Sequence, residues 1–335
     1  METEHQYRNY IQMDNGVVPV NESKTQVPTV AVLMSTYNGE RYLREQLESL
    51  FIQEDVNVRL YIRDDGSTDS TLTIVDEFAQ HFPITLMEDC ENVGSGESFM
   101  RILYAYADDP MLDYFAFADQ DDIWLPDKLS SAVLAIEKTG IDGPILYCSN
   151  QVIYENGEVK RIRYAEPQNV QLIPHITENT ISGCTFVFNK DLALLVARAD
   201  RPDSRVIKYR LHDAWIMLVA ICCGRVIYDE EPHMLYRIHD NNVVGIRQIA
   251  PIEKIERMRN LISKSGQSNL RSLTARELLR LFPQIRGEDR EILELFAHYR
   301  KSWDAKRCLI MNKKVRGECP EHILSFCLKV VLSRV

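Results

Sequence analysis

Long hydrophobic runs are missing from this 335-residue sequence. The longest stretch without a polar residue covers residues 214–223, about half of what a helix needs to cross a bilayer. The first 28 residues are polar, include two prolines and have no basic region followed by an apolar one, so they predict no signal peptide. We therefore expect a cytoplasmic protein, at most peripheral on the inner face of the plasma membrane.

The cysteine pattern excludes another class of site. None of the eight cysteines belongs to a CxxC pair, and most of them lie in apolar stretches. A zinc site or a disulfide framework needs closely spaced or regularly spaced cysteines. We therefore expect reduced cysteines that act as small core residues.

Two common nucleotide-binding motifs are also missing. A dehydrogenase has GxGxxG after its first strand, where this chain has STYNG at residues 35–39. The nearest glycine cluster, GSG at residues 94–96, has Phe99 where a third glycine would fall, and no GxxxxGK[ST] loop occurs. These absences argue against a dehydrogenase and against a P-loop enzyme.

Basic charge is scarce in most of the chain. Residues 1–250 contain 21 Lys and Arg against 39 Asp and Glu, whereas residues 251–335 contain 18 against 10. The acidic body argues against nucleic acid as the main partner. The basic C-terminal region suits an anionic membrane or a phosphorylated lipid acceptor. A helical region with a solvated charged face explains the same composition.

Strand and helix patterns alternate through residues 29–150, with short connections. Such alternation predicts an α/β fold with a doubly wound, mostly parallel sheet. The predicted strands cover residues 29–35, 58–62, 84–87, 114–118 and 145–148. The predicted helices cover residues 41–52, 70–81 and 99–107, and a fourth begins at Pro126.

The pattern changes after Asn150. A hairpin is predicted over residues 152–163, strands over 181–188, 226–228 and 235–245, and an apolar helix that His212 and Asp213 open. From Pro251 onward the pattern is mostly helical. We therefore divide the chain into an N-terminal extension (1–28), a main domain (29–250, with halves 29–150 and 151–250) and a basic helical C-terminal region (251–335).

Polar clusters follow three of the predicted strands: TYNG at residues 36–39, DDGS at 64–67 and DQDD at 119–122. In a doubly wound sheet, ligands bind beyond the carboxyl ends of the strands. Because these clusters come from different strands, we expect them to converge on one rim of the sheet.

The acidic cluster Asp119, Asp121 and Asp122 is the main chemical signal. Carboxylates this close repel one another unless a cation or strong hydrogen-bond donors lie between them. Mg²⁺ and Mn²⁺ prefer one or two carboxylates together with the phosphates of a ligand. Such an ion would stabilise the charge of a sugar nucleotide diphosphate as the glycosidic bond breaks. A helix cap or a solvated acidic loop is the alternative.

Three further aspartates carry candidate chemistry. Asp64 or Asp65 can accept the N3–H of a uracil or thymine ring, although the segment at residues 67–69 also suits a helix N-cap. Asp213 is a candidate general base for an acceptor hydroxyl, with a helix N-cap as its alternative role.

Two residues near position 238 complete the candidate set. His239 is a candidate metal ligand, and Arg237 is a candidate partner of phosphate. A surface loop without a ligand is the alternative for both.

The ordered motifs resemble those of family two glycosyltransferases with the GT-A fold. STYNGE at residues 35–40, DDGSTD at 64–69 and DQDDIW at 119–124 carry this resemblance. SGCT at 182–185, HDAW at 212–215 and YRIH at 236–239 are similar to the bacterial rhamnosyltransferase-like branch. That branch commonly has two aromatic residues after the His-Asp pair, where this chain has Ala214 and Trp215.

The resemblance implies roles for the first two clusters and for residues 29–250 as a glycosyltransferase catalytic domain. Thr36, Tyr37 and Asn38 would line the pocket of the base. Asp65 or Asp64 would bind the base itself.

Roles in metal binding and transfer follow from the same resemblance. Asp119 would face the ribose or the metal, and Asp121 would be the principal metal ligand. The region around Gly183 would border the acceptor, and Asp213 would be the base of an inverting single displacement. The implied cofactor is Mn²⁺ or Mg²⁺, and the implied donor is dTDP-rhamnose, with a UDP-sugar as the second choice. The implied product belongs to a bacterial cell-surface polysaccharide, built on a glycan or lipid-linked acceptor.

Two other classes of protein share parts of this pattern. A phosphatase with an aspartyl nucleophile also has DxD at a strand end, but it has a small hydroxyl residue or valine where this chain has Ile123. A non-catalytic nucleotide-sugar-binding or scaffold protein is the other alternative. Loss of Asp121 or Asp213 would favour it, and both residues are present.

The last 15 residues form a separate amphipathic pattern. His322, Ser325, Lys329 and Ser333 fall on one helical face, and apolar residues fill the rest. This pattern predicts either a helix in the plane of a membrane or a helix that docks on the protein's own core.

Overall fold

The computed structural model describes residues 27–89, 91–239 and 269–335. Nine strands in these residues form one mixed sheet in the order β3-β2-β1-β4-β8-β6-β9-β5, and β7 pairs with β6. The strands are β1 (Thr29–Thr36), β2 (Asn57–Asp64), β3 (Ile84–Leu86), β4 (Tyr114–Ala118), β5 (Ile123–Trp124), β6 (Ile145–Glu155), β7 (Glu158–Ile162), β8 (Val187–Asn189) and β9 (Arg225–Ile238).

The first four strands are parallel to one another, and β1 and β4 are buried. The apolar residues 30–34 of β1 and 115–118 of β4 are 0% exposed, as expected for strands covered on both faces. The register places Thr36 opposite Asp64, and Met34 opposite Ala118. The carboxyl ends of β1, β2 and β4 therefore meet at one edge of the sheet.

The other half of the sheet is not mostly parallel, so that part of the prediction is corrected. Strand β8 is antiparallel to both β4 and β6, and β5 is antiparallel to β9. The predicted hairpin is confirmed as β6–β7, because Asn156 and Gly157 adopt positive φ angles of 54° and 80° in its turn. The α/β fold class stands, with a mixed sheet.

Two further strand predictions differ from the structure. In the predicted strand 181–188, Gly183–Thr185 form a 3₁₀ turn, and only Val187–Asn189 form a strand. The predicted strands 226–228 and 235–245 belong to one irregular strand, β9, which pairs with β6 through two register shifts. Residues 240–245 of that prediction lie outside the described residues.

Helices connect the strands and form the C-terminal part of the chain. They are α1 (Leu43–Phe51), α2 (Thr71–Ala79), α3 (Ser95–Tyr106), α4 (Lys128–Lys138), α5 (Leu172–Thr177), α6 (Lys190–Arg198), α7 (Ser204–Cys223), α8 (Leu270–Leu281), α9 (Gly287–His298), α10 (Trp303–Met311), α11 (Lys313–Glu318) and α12 (Ile323–Val331). Among the described helices, none combines the length and hydropathy needed to span a membrane.

The chain divides into two compact units. The first contains the nine strands with helices α1–α4 and α6. The second contains α5, α7 and the helices after residue 269, and in it Trp215 of α7 packs against Phe282 with ring centroids 6.1 Å apart. Residues 199–223 thus belong to the helical unit. The functional division of the chain at residue 250 stays a prediction.

Candidate functional site

The parallel half of the sheet brings the three predicted polar clusters together. The Thr36 hydroxyl donates to Asp64 Oδ1 at 2.8 Å, which joins the ends of β1 and β2. The Tyr37 amide donates to Gln120 Oε1 at 2.9 Å, which joins the end of β1 to the acidic loop after β4. The predicted convergence on one rim is confirmed.

Asp64 organises the loop that follows β2. Its side chain is buried, and its Oδ2 accepts from the backbone amides of Ser67 at 2.7 Å and Gly66 at 3.1 Å. Its Oδ1 accepts from the hydroxyls of Thr36 at 2.8 Å and Ser67 at 2.6 Å. Four hydrogen bonds occupy this carboxylate, and base binding by Asp64 or Asp65 stays a prediction.

Asp65 is also buried, but its charge has a partner. The guanidinium of Arg63, which is 0% exposed, donates to Asp65 Oδ1 at 2.7 Å. The backbone amides of Val93 and Gly94 donate to Oδ1 and Oδ2 at 2.8 and 2.9 Å. Asp65 therefore connects β2 with the loop before α3, and Oδ2 carries only one of these bonds.

Arg63 was not among the site residues predicted from the sequence. Its Nη2 also donates to the Glu91 carbonyl at 2.5 Å, and its Nη1 donates to the Ser98 hydroxyl at 3.2 Å. A buried arginine needs this many acceptors because the loss of hydration is costly. A charged residue inside an otherwise buried strand, directly before two aspartates, was the available signal.

The loop after β1 has one exposed aromatic ring. Tyr37 is 51% exposed at the rim, while its backbone N–H and C=O groups both form hydrogen bonds with the side-chain amide of Gln120. Asn38 has a positive φ of 46°, and its Oδ1 accepts from the Thr68 amide at 2.8 Å. The Asn38 side chain thus links two loops, and Tyr37 presents a free face for stacking.

The acidic loop is buried at one end. Asp122 is 1% exposed, whereas Asp119 and Asp121 are half-buried. Burial raises the pKa of Asp122 well above its ordinary value, and the charges of Asp121 and Asp119 raise it further. The Arg237 amide donates to Asp122 Oδ1 at 3.1 Å, while Oδ2 has no hydrogen-bond partner among the described residues. This group of side chains is therefore rich in carboxylate oxygen.

These residues fit a hard divalent cation. One ligand atom each from Asp119, Asp122 and Cys184 lie within 4.8 Å of one another. Burial raises the pKa of the Cys184 thiol well above its ordinary value, so this sulfur suits Mg²⁺ or Mn²⁺ poorly, and oxygen ligands remain. Asp122 belongs to the predicted acidic cluster but was not named as a metal ligand, and Cys184 was not predicted as a member of this group. Metal binding by Asp119 and Asp121 stays a prediction.

A buried lysine lies at the start of α4. Lys128 is 0% exposed, its Nζ is 4.4 Å from the ring centroid of Trp124, and it has no hydrogen-bond partner among the described residues. Burial lowers its pKa to about 8, an effect that the nearby Cys184 and Asp122 oppose. Lys128 was not predicted as a site residue, because a lysine in a first helical turn is usually exposed.

Arg237 holds the acidic loop from β9. Its Nε donates to the Asp121 carbonyl at 2.8 Å, and its Nη2 donates to Glu45 Oε2 at 2.5 Å. Its guanidinium lies 4.7 and 5.0 Å from the ring centroids of Tyr42 and Tyr154. These contacts position the main chain of Asp121. Phosphate binding by Arg237 stays a prediction.

Asp213 belongs to the second unit, at a break inside α7. Leu211 has φ 68° and ψ 172°, a strained conformation for a residue with a side chain. The helix restarts directly after it, with the Ala214 amide donating to Asp213 Oδ1 at 2.7 Å. Asn179 Nδ2 donates to Asp213 Oδ2 at 3.0 Å. The Ala214 amide belongs to the next residue rather than to the second or third residue of the helix, so the N-cap role of Asp213 stays a prediction. Asn179 orients one of its carboxylate oxygens.

His212 and His239 also lie in the second unit. Burial lowers the pKa of His212 to about 3, so its imidazole is neutral at physiological pH. His239 is half-buried and is the last residue described before position 269. Its role as a metal ligand stays a prediction, as does the role of Asp213 as a base.

Comparison with known proteins defines the class. The family model "Glycosyl transferase family 2" matches residues 31–194, which include the three polar clusters. The chain is 33% identical over 218 residues to the dTDP-rhamnosyl transferase RfbG of Shigella flexneri, covering 63% of this chain and 73% of that protein. This chain belongs to glycosyl transferase family 2.

Other relatives agree in class and in fold. An uncharacterised glycosyltransferase of Rickettsia typhi is 24% identical over 311 residues, covering 89% of this chain and 90% of the relative. The structure of Staphylococcus aureus TarS residues 1–349 in complex with UDP-GlcNAc superimposes with a TM-score of 0.56 at 18% identity. That match covers 87% of this chain and 77% of TarS 1–349, and it shows a GT-A-like fold.

Proposed function

We propose that this protein is a metal-dependent, inverting rhamnosyltransferase. It transfers rhamnose from dTDP-rhamnose to a hydroxyl of a glycan or lipid-linked acceptor in bacterial cell-surface polysaccharide synthesis. The observation that carries this proposal is the meeting of the three polar clusters at one sheet edge, in a chain 33% identical to a dTDP-rhamnosyl transferase.

Donor binding is assigned to the first unit. The exposed ring of Tyr37 stacks on the thymine, and Asp65 Oδ2 accepts the N3–H of the base. Asp119 and Asp121 hold Mn²⁺ or Mg²⁺, which supplies positive charge against the diphosphate when it is bound. Arg237 keeps the main chain of Asp121 in place.

Proton removal is assigned to the second unit. Asp213 takes the proton of the acceptor hydroxyl, and its other contacts restrict how the carboxylate can rotate. Attack of the deprotonated oxygen on the anomeric carbon, from the side opposite the diphosphate, forms the new glycosidic bond. The bond to the diphosphate breaks in the same step, dTDP leaves, and the configuration is inverted. His212 stays neutral because its pKa is about 3, so it adds no charge beside the base.

A UDP-sugar is the second candidate donor. Uracil and thymine present the same N3–H donor, so Asp65 does not distinguish between them. Discrimination then depends on the 5-methyl group and on the 2′-hydroxyl of the ribose.

Isothermal titration of the purified protein with dTDP, UDP and GDP, each with and without Mn²⁺, tests the donor site. We expect dTDP to bind only with the metal, and Asp121→Asn to abolish binding. Asp142→Asn, at an exposed aspartate of the same unit, is the matched control. Metal-dependent binding of UDP alone selects the second candidate, and binding of no nucleotide favours a non-catalytic protein.

Transfer assays with a panel of nucleotide sugars test the reaction. Asp213→Asn should lower kcat by about 10²–10⁴ while leaving dTDP affinity unchanged. Asp200→Asn, at a side chain 89% exposed in the same unit, should have no effect. Near-normal transfer by Asp213→Asn would refute the base assignment.

A further inference from the structure

Helix α12 has two apolar sides, and only one of them is buried. Phe326 and Val330 are 0% exposed, and the Phe326 ring lies 6.3 Å from that of Phe296. Residues three and four positions apart share one side of a helix. On the other side, the exposed fractions are 72% for Leu324, 59% for Leu328, 41% for Val331 and 54% for Leu332. One side of α12 therefore packs against the rest of the second unit, and the other presents a row of exposed apolar side chains.

Helix α10 extends this row. Lys306 Nζ donates to the Val331 carbonyl at 2.8 Å, which connects α10 with the end of α12. The same Nζ is 4.6 Å from the ring centroid of Trp303, whose side chain is 71% exposed. We define the apolar face as Trp303, Leu324, Leu328, Val331 and Leu332.

Basic residues dominate the segment that carries the apolar face. Residues 299–335 contain nine Lys and Arg against three Asp and Glu. Glu321 is neutralised by contacts with Arg271 and Lys329. The exposed basic residues are Arg300, Lys301, Arg307, Lys313, Arg316 and Arg334.

We propose that the apolar face docks on an anionic lipid bilayer. Leucines and an exposed indole enter the boundary between headgroups and acyl chains, and lysines and arginines of the same segment contact the anionic headgroups. Helix α12 is too short to cross a bilayer, so it lies in the plane of the membrane. The proposal concerns the second unit alone and stands independently of the donor assignment.

Charge favours a bilayer over a second copy of this chain. Two copies that met through the apolar face would bring two segments of the same positive charge together, which is unfavourable. An anionic bilayer covers the same apolar side chains and attracts the charge around them.

Vesicle co-sedimentation of the full chain tests the proposal. We expect binding to phosphatidylcholine vesicles that contain about 30% phosphatidylglycerol, and loss of most binding at about 0.5 M NaCl. The double variant Leu324→Ser and Leu328→Ser should bind about tenfold more weakly or worse. The matched control, Leu134→Ser with Ile141→Ser, changes side chains 44% and 46% exposed in the first unit and should bind normally.

Tryptophan fluorescence gives a second measurement. Trp124 and Trp215 are 1% exposed, so Trp303 is the tryptophan that anionic vesicles should shift to shorter emission wavelength. Trp303→Phe should abolish that shift. Equal binding of the wild type and the double variant, or vesicle binding absent while light scattering detects a dimer, would overturn the proposal. Neither result depends on dTDP binding, which can be measured on the same samples.

Discussion

Gln120 and Tyr37 exchange two hydrogen bonds across the rim of the sheet. Gln120 Oε1 accepts from the Tyr37 amide at 2.9 Å, and Gln120 Nε2 donates to the Tyr37 carbonyl at 3.0 Å. One side-chain amide thus pairs with the main chain as a neighbouring strand would. It fixes the loop with the exposed aromatic ring to the acidic loop.

Gly39 should be sensitive to the addition of a single methyl group. A Cβ at this position would lie 2.4 Å from Gln120 Oε1, so Gly39→Ala must displace the amide that holds Tyr37. We expect nucleotide affinity to fall about tenfold, the equivalent of one lost hydrogen-bond pair. Titration with dTDP and Mn²⁺ measures this. Gly317→Ala, where an added Cβ meets nothing within 4 Å, should bind dTDP normally.

Arg63 should be required for stability because it neutralises a buried carboxylate. Arg63→Met leaves Asp65 without its cation, and we expect the free energy of unfolding in urea to fall by about 3–5 kcal/mol. Arg44→Met is the control, because Arg44 and Glu77 form an ion pair with side chains 51% and 53% exposed. That pair should contribute at most about 1 kcal/mol. Equal effects of the two substitutions would contradict the prediction.

His233 should make stability decrease at alkaline pH. Burial lowers its pKa, but Asp127 and Asp229 outweigh burial and raise it to about 9, above the value of about 6.5 in an unfolded chain. The stabilisation is complete below pH ~6.5 and disappears as pH rises towards 9, with a maximum of about 2–3 kcal/mol.

Urea unfolding of the wild type and of His233→Gln at several pH values measures this effect. The difference in unfolding free energy between the two proteins should shrink between pH ~6.5 and ~9. His298→Gln is the control, because His298 is exposed. A difference that stays constant over this range would show that the imidazolium is not involved.

Glu321 should make stability decrease at acidic pH. Burial raises its pKa, but the charges of Arg271 and Lys329 outweigh burial and leave it below its ordinary value. Its contribution is complete above pH ~4.5 and decreases as pH falls through the lower folded-state pKa. Glu321→Gln should destabilise the protein at neutral pH by about 2–4 kcal/mol, because it leaves a nearly buried arginine unpaired.

The control for Glu321 is Glu294→Gln. Glu294 pairs with Arg290, and their side chains are 48% and 39% exposed, so solvent screens the interaction. Circular dichroism in a urea series at pH 7 and at pH ~4 compares the two variants. If Glu294→Gln destabilised as much as Glu321→Gln, burial would not explain the effect.

The parallel half of the sheet was predictable because its signals are local. Apolar strands such as β1 and β4 read as uninterrupted runs, and each ends at a polar cluster. The mixed half of the sheet was not predictable, because β8 has only three residues and its antiparallel partners, β4 and β6, lie far away in the sequence. Periodicity in so short a segment does not determine strand direction.

The candidate site also has features that the sequence predicts and features that it does not. The acidic loop, the DDGS loop and the His-Asp pair were identified from residue type and position after a predicted element. Which of these residues are already hydrogen-bonded was not predictable, because hydrogen-bond partners lie up to 192 residues apart, as Arg237 and Glu45 do. Only the folded register determines which carboxylates are already occupied.

The sequence by itself determined the class of fold, the strand ends that carry the chemistry and the family to which the chain belongs, because these depend on local patterns and ordered motifs. The tertiary structure decided that Asp64 is occupied by loop hydrogen bonds, that Arg63 neutralises Asp65, and that Asp122 and Lys128 are buried. It also decided which side of α12 stays uncovered. Burial and charge pairing arise from contacts between distant segments, and a linear pattern does not contain them.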